Sequence, residues 1–285
     1  MKRLTFSLST AALLVGITLA SGATAANPPL PPITRVGVVS IGRSSMQMPG
    51  VGSMDVVTSN ASFYRGGGES LGSAARDVCT VLASVPDAQE PSTPGLDTPE
   101  KAPNVVSLDA GNPLVLRGAA QSYANLPRFK QGATISYAAN PPLRQAPPAN
   151  LVIDIPGAQG GFPAMKNMAF PTTAPVTLSA PKNGVGVKPS TTFTWSNPTK
   201  DANTLVLLSG TQEEGGVTFT CTAIDDGTFT FPAATAAALK KAGFEVGQLT
   251  MLGRMSSRSY RQGDAQLVLQ VTSMQTFMPQ DEGDE

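Results

Sequence analysis

No histidine occurs anywhere in the 285 residues. That absence removes the Ser-His and Cys-His nucleophile pairs, imidazole acid–base chemistry and every histidine-ligated metal centre. Cysteine is nearly missing too. Cys79 and Cys221 are the only two, too few for a zinc or iron–sulfur site built from four thiolates. Aromatic residues make up 6% and charged residues 14% of the chain, with Trp195 as the single tryptophan. The charge is balanced, 20 Lys and Arg against 20 Asp and Glu, so no basic excess exists to hold nucleic acid. No cofactor fingerprint is present. These exclusions leave a compartment and a fold class to read, and no named activity.

Long apolar runs are scarce, and the one at the N-terminus reads as a targeting segment. Lys2 and Arg3 form a positive n-region, Leu8 to Ala20 an apolar h-region, and Ala23-Thr24-Ala25 a small-x-small cleavage signal before Asn27-Pro28-Pro29. The order is that of a secretory signal peptide over residues 1–25. The run is shorter than the roughly 20 residues a bilayer requires. No later run is long enough to span, so no membrane span is expected after cleavage. Removing Lys2 and Arg3 leaves 18 basic and 20 acidic residues, a net charge of −2. The expected location is the periplasm or the cell exterior, where Cys79 and Cys221 can pair. The alternative for Cys221 is a buried free thiol, since it falls on the apolar phase of Val217 to Ala223.

What the chain has in quantity is punctuation, with 28 Gly and 25 Pro. Between these breaks lie short apolar or alternating runs. Arg35 to Ile41 and Met54 to Tyr64 read as strands, with Ser44 to Gly52 as a loop between them. Asp77 to Val85 fits either a strand or the end of a short helix. Pro86 to Pro103 is a Pro-rich, acidic, solvated loop. Val105 to Leu108, Leu114 to Arg117, Ala133 to Tyr137 and Leu151 to Ile155 follow, with spacing that favours a sandwich or barrel over βαβ units.

From Thr173 the pattern becomes one module. Pro175 to Ala180, Thr191 to Ser196, Leu205 to Ser209, Val217 to Ile224, Thr228 to Phe231, Gln248 to Leu252 and Gln266 to Thr272 read as seven strands. Lys182-Asn183-Gly184 and Asp225-Asp226-Gly227 are turns. Pro232 opens and Gly243 ends a short Ala-rich helix. Pro175 to Trp195 resembles the first two strands of fibronectin-type-III or immunoglobulin-like modules, where an early Trp fills the core. Asp226 to Ala233 with its helix, and Leu108 to Gly111 followed by Leu114 to Leu116, are similar to secreted bacterial β-sandwich proteins of unassigned function. The resemblance implies a fold and a compartment, with Trp195 as core marker. It supplies no catalytic residue.

Several residues invite chemistry. Gly68-Glu69-Ser70-Leu71-Gly72 matches a nucleophile elbow, but Ser70 has no His to take its proton. A Ser-Lys pair is the remaining form, against a plain Gly-rich loop. Met46, Met48 and Met54, with Met165 and Met168, offer thioethers for Cu(I), or simply fill gaps. Asp109 and Asp154 lie within apolar strand runs and are candidates for paired-carboxylate glycoside hydrolysis, or cap turns. The other acids, among them Asp97, Glu100, Asp201, Glu213 and Glu214, sit in turns and loops. Asp225 and Asp226 fit a calcium site or a hairpin turn. Asn60-Ala61-Ser62 is a glycosylation sequon. Residues 278–285 form an acidic tail.

The sequence thus predicts an all-β protein of two β-sandwich domains. The first covers residues 26–172, and the second, immunoglobulin/fibronectin-III-like with one short helix, covers 173–277. The expected role is non-enzymatic: a binding, adhesion or envelope module with a protein or polysaccharide surface partner, no nucleic acid, no metal and no cofactor. The alternative is a His-free hydrolase using paired carboxylates or a Ser-Lys pair.

Overall fold

The computed structural model describes residues 31–48, 52–66, 76–83, 105–118, 121–143, 145–212 and 216–277. The signal segment, Ser70 and its elbow, the 86–103 loop, Glu213, Glu214 and the acidic tail lie outside them. The chain runs through β1 (Arg35–Met48), β2 (Gly52–Arg65), β3 (Val78–Ala83), β4 (Val106–Ser107), β5 (Leu114–Arg117), β6 (Ser122–Leu126), β7 (Arg128–Gln131), β8 (Thr134–Ala138), β9 (Val152–Ile155) and β10 (Met165–Ala169). It continues through β11 (Leu178–Ala180), a 3-10 turn at Lys182–Gly184, β12 (Val185–Val187), β13 (Thr192–Trp195), β14 (Thr204–Gln212), β15 (Val217–Ile224) and β16 (Thr228–Thr230). The helix α1 (Ala233–Lys241), β17 (Gly247–Gln262) and β18 (Ala265–Thr276) complete it. The fold is all-β and sandwich-like, with one short helix.

Among the described residues, eleven strands form one mixed sheet, in the order β3-β15-β14-β17-β18-β1-β2-β8-β7, with β12 on β17 and β4 on β2. Two smaller sheets cover one of its faces, β10-β9-β5-β6 and β11-β13-β16. Each covering sheet closes a core. Leu114, Leu116, Ile153 and Ile155 meet Val39, Ile41, Phe63, Leu267 and Leu269 in the first. Phe193, Trp195 and Phe229 meet Val206, Leu208, Phe219 and Leu252 in the second. Period-2 alternation places the burial: β15 reads buried–exposed over Val217, Thr218, Phe219 and Thr220.

The central strands are long because both cores need them. β17 has 16 residues, roughly 50 Å at strand rise, and pairs with β14 at one end and β18 at the other. Its hairpin to β18 turns at Gly263, whose φ of +59° suits the first loop position of a type II′ turn. β18 then runs parallel to β1, Arg35 opposite Ala265 through Met46 opposite Thr276. Arg35 and the Thr34 hydroxyl both hold the Asp264 carboxylate in that turn, which fixes where β1 starts. The Arg35 guanidinium, followed by the Thr34 hydroxyl, draws the Asp264 carboxyl down to a pKa of about 2.

Helix α1 ends as its sequence predicts. Gly243 (φ +83°) sends its N–H to the Lys240 carbonyl and Phe244 to the Leu239 carbonyl, a Schellman closure. Leu239 and Phe244 are both buried in the second core.

Two expectations change, and one open alternative is resolved. Ser44 to Met48, read as loop, continues β1, because β2 and β18 satisfy its backbone on both sides. Within the segment from Asp77, left open between strand and helix end, Val78–Ala83 forms a strand, β3. The strand expected at Gln266 to Thr272 packs not with the second core but with the first, through Leu267 and Leu269. In the other direction, Cys79 and Val81 of β3 belong with the second. A division at residues 172–173 separates most of the two cores yet passes through a shared sheet. Residues 173–277 expressed alone should therefore lack a sharp thermal transition and bind a hydrophobic dye, since β18 would lose its core and β15 its neighbour β3. Thermal circular dichroism checks this; a cooperative melt of the fragment would contradict it.

Candidate functional site

The second core contains the most deeply buried charge in the described chain. Arg254 and Asp225 are both 0% exposed. Arg254 sits on the inward phase of β17, between Leu252 and Ser256. Asp225 ends β15 in the Asp225-Asp226-Gly227 turn. Arg254 Nε lies 2.9 Å from Asp225 Oδ2, an ion-pair contact without hydrogen-bond alignment. One terminal nitrogen donates to Asp225 Oδ1 at 3.2 Å and to the Asn197 carbonyl at 2.9 Å. The other donates to the Ala174 carbonyl at 3.2 Å. Asp225 also accepts from Trp195 Nε1 at 2.8 Å and from the Thr199 amide and hydroxyl at 2.9 and 2.7 Å. Burial pushes the Asp225 carboxyl up, but these donors, Thr199 foremost, outweigh it and hold the carboxyl below the ordinary carboxylate range. Asp226 is exposed and accepts from the Thr228 amide in its own turn. The Asp225–Asp226 pair is thus divided, one carboxylate neutralised inside and the other capping outside.

Beside Arg254, across the ladder, stand Ser273 of β18 and Arg43 of β1. Here the gap between the covering sheets opens as two small cavities under the segment that links them. One, of about 180 Å³, is lined by Arg43, Ser45, Pro175, Thr177, Ser273 and Gln275 among others. The other, of about 110 Å³, adds Pro147 and Thr173, whose buried hydroxyl has no protein partner. Both fall below the roughly 300–1,000 Å³ of small-molecule sites. Arg43 is engaged with Asp55 at 2.6 Å, and with the Ser45 hydroxyl it holds that carboxyl below its ordinary value. This waist suits water or a small polar group.

Asp109 and Asp154 line neither cavity. Asp109 accepts from the Tyr137 hydroxyl at 2.9 Å and the Gly111 amide at 2.9 Å, and pairs with Arg128. Tyr137 in turn accepts from the Ala110 amide at 2.8 Å. Burial, helped by the nearby carboxylate, pushes the Tyr137 hydroxyl up to about 12. Asp154 of β9 accepts from Arg117 Nε at 2.7 Å and from the Asn167 amide at 2.8 Å. Each acid therefore has its own arginine, and each holds a backbone amide, Gly111 in a loop and Asn167 at the bulge within β10. Among the described residues, no group of three or more Cys, Asp or Glu side chains is placed to hold a metal ion.

The remaining predicted residues are placed as follows. Cys79 and Cys221 face each other across β3 and β15 and form a disulfide. Trp195 is buried at 4% exposure, with its indole N–H on Asp225. Asn60 is exposed on β2. Met165 and Met168 belong to the first core, whereas Met46 and Met54 are direct partners across β1 and β2. The side chain of Met48 lies outside the described residues. Sequence reasoning missed Arg254, although a charge on the inward phase of a strand is a signal that a buried partner exists. No helix of the described chain is long and apolar enough to cross a membrane.

Two predictions follow the buried groups. Arg254→Met, which leaves Asp225 buried and uncompensated, should cost about 3–5 kcal/mol of stability, and Arg254→Met with Asp225→Asn less than the sum of the singles. Because the folded Asp225 carboxyl titrates below its ordinary 3.8, the unfolded chain binds the extra proton. Its contribution is full above that value and is lost as pH falls through the lower folded one. Asp225→Asn should flatten this acid limb in urea melts run from pH 6 to pH 2. Separately, replacing Cys79 and Cys221 by Ala opens a link spanning 142 residues and should cost roughly 2–5 kcal/mol, read by the same melts.

No protein-family model matches the chain, and no curated protein matches it.

Proposed function

We propose that the chain is an exported, non-enzymatic β-sandwich protein, a binding, adhesion or envelope module whose partner is a protein or polysaccharide surface. In this reading the signal segment directs it to the periplasm or the cell exterior. There the Cys79–Cys221 disulfide is stable, as expected of an oxidising compartment. The second core is read as immunoglobulin/fibronectin-III-like. Its support is two facing layers around Trp195 and the short helix that closes on Phe244.

The observation that carries the reading is the fate of the strand carboxylates. A hydrolase working by paired acids requires two that converge on a substrate. Asp109 and Asp154 instead each bind a separate arginine and a separate backbone amide. Asp225 is sealed inside. The polar side chains of Asp109 and Asp225 tie the connections at Gly111 and Thr199 to the frame, which supports the reading of a scaffold that presents loops.

The chain from residue 26 should show no turnover of chromogenic glycosides or esters above that of an Asp109→Asn/Asp154→Asn variant. Both variant positions should instead lower the melting temperature. In intact exporting cells, chemical cross-linking should capture the protein on an envelope protein or glycan. Hydrolysis abolished by Asp109→Asn or Asp154→Asn with folding intact would overturn the proposal.

A further inference from the structure

Both cores lie on one face of the eleven-stranded sheet, and the register defines what occupies the other. Residues directly opposed in a ladder share a face. One lateral row runs Met54, Met46, Thr276, Met251 across β2, β1, β18 and β17. The next runs Val56, Ser44, Met274, Gly253, and the third Thr58, Gly42, Thr272, Met255. Five of the chain's ten methionines thus fall within three rows on four strands, a block roughly 14 Å on a side. The face is accessible: Met54 is 45% exposed, and Met46, Met251, Met255 and Met274 are partly so.

Methionine ordinarily fills irregular gaps inside a core. Met165 and Met168 do that here. The block lies instead on the outer face of the sheet. Most of its other positions are Gly, Ser and Thr, small enough for thioethers to lie across them. Met274 does so: its Cγ is 2.9 Å from where a Cβ on Gly253 would stand, and its Cε 4.0 Å from the same point on Gly42. Asp55 and Arg43, the nearest charged pair, point to the opposite face, because their positions fall in the other phase of β2 and β1.

We propose that this block, centred on the Met46–Met54 pair, is a binding site for one soft monovalent cation, Cu(I), held by thioether sulfurs. Opposed residues on antiparallel strands have Cβ atoms about 4.5–5.5 Å apart, within reach of two Met side chains closing on one ion. Met251, in the same lateral row one strand beyond Thr276, supplies the further sulfur, whereas Met274 leans the other way, toward Gly42. No imidazole or free thiol competes, since histidine is absent and the disulfide takes both cysteines, and Met165 and Met168 are packed in the first core. Soft sulfur suits a soft ion. A thioether also carries no proton to lose, so binding should be independent of pH, unlike thiolate or imidazole sites.

The test uses the disulfide-intact chain, with Ag(I) in nitrate buffer as the redox-inert probe and Cu(I) under ascorbate against a chromophoric chelator. Native mass spectrometry should show one ion per chain, with the same affinity at pH 5 and pH 8. Met46→Leu with Met54→Leu should weaken binding by more than the roughly 10–100-fold that loss of an outer-shell partner costs a metal site. Met168→Leu should bind as the parent does. Circular dichroism confirms folding, and the single exposed change Met54→Leu serves if the double variant fails to fold. The proposal is overturned by absence of binding, by an affinity that follows pH, or by equal binding in the Met46 and Met54 variants. Retention of an apolar peptide on this face without metal binding overturns it equally.

Discussion

Arg254 is the point at which otherwise separate segments are obliged to meet. A guanidinium without water must find an acceptor for each of its donors, and no single carboxylate offers enough. The arginine draws instead on Asp225 at the end of β15, on the Asn197 carbonyl after β13 and on the Ala174 carbonyl of the segment joining the two covering sheets. Asp225, equally dry, gathers Trp195 and Thr199. A buried ion pair is a poor source of net stability, because desolvation offsets most of the attraction. Its effect here is to specify geometry: the two terminal nitrogens require Asp225, Asn197 and Ala174 in fixed places, while Nε keeps an ion-pair contact with Asp225.

That constraint acts on a sheet that both cores share. β17 and β18 pass from one core to the other without interruption, and β1 joins them as a parallel neighbour. Strands near the two ends of the described chain therefore lie side by side at the centre. Contacts of such separation are slow to form but couple distant parts once made. The Cys79–Cys221 disulfide adds a further tie by fixing β3 to the edge of β15.

The chemistry follows from the same economy of polar groups. In a chain with 14% charged residues, nearly every described carboxylate within the frame has a structural partner. Among the described residues, the frame leaves a small polar waist lined in part by Arg43 on one side and a thioether-rich face on the other. The first is too small for an organic ligand. The second has ligand atoms suited to a soft ion and little else.

Much of this was legible in one dimension. The alternation over Val217 to Ala223, the Gly at the Asp225 turn, Pro232 and Gly243 around the helix, and Trp195 as a core residue depend on neighbours a few positions away, where side-chain period and backbone preference act. Polar strands were not legible. Ser44 to Met48 and Gly253 to Gln262 lack apolar alternation, and they are strands because partners more than two hundred residues away or across a hairpin satisfy their backbones. The same holds for the candidate sites. The sequence by itself determined which donors exist: no imidazole, two thiols that can pair, ten thioethers. Only the tertiary structure decided which of them meet. Register across a sheet is set by pairing between remote strands, and a shift of one residue would send Met46, Met54 and Arg254 to the opposite faces.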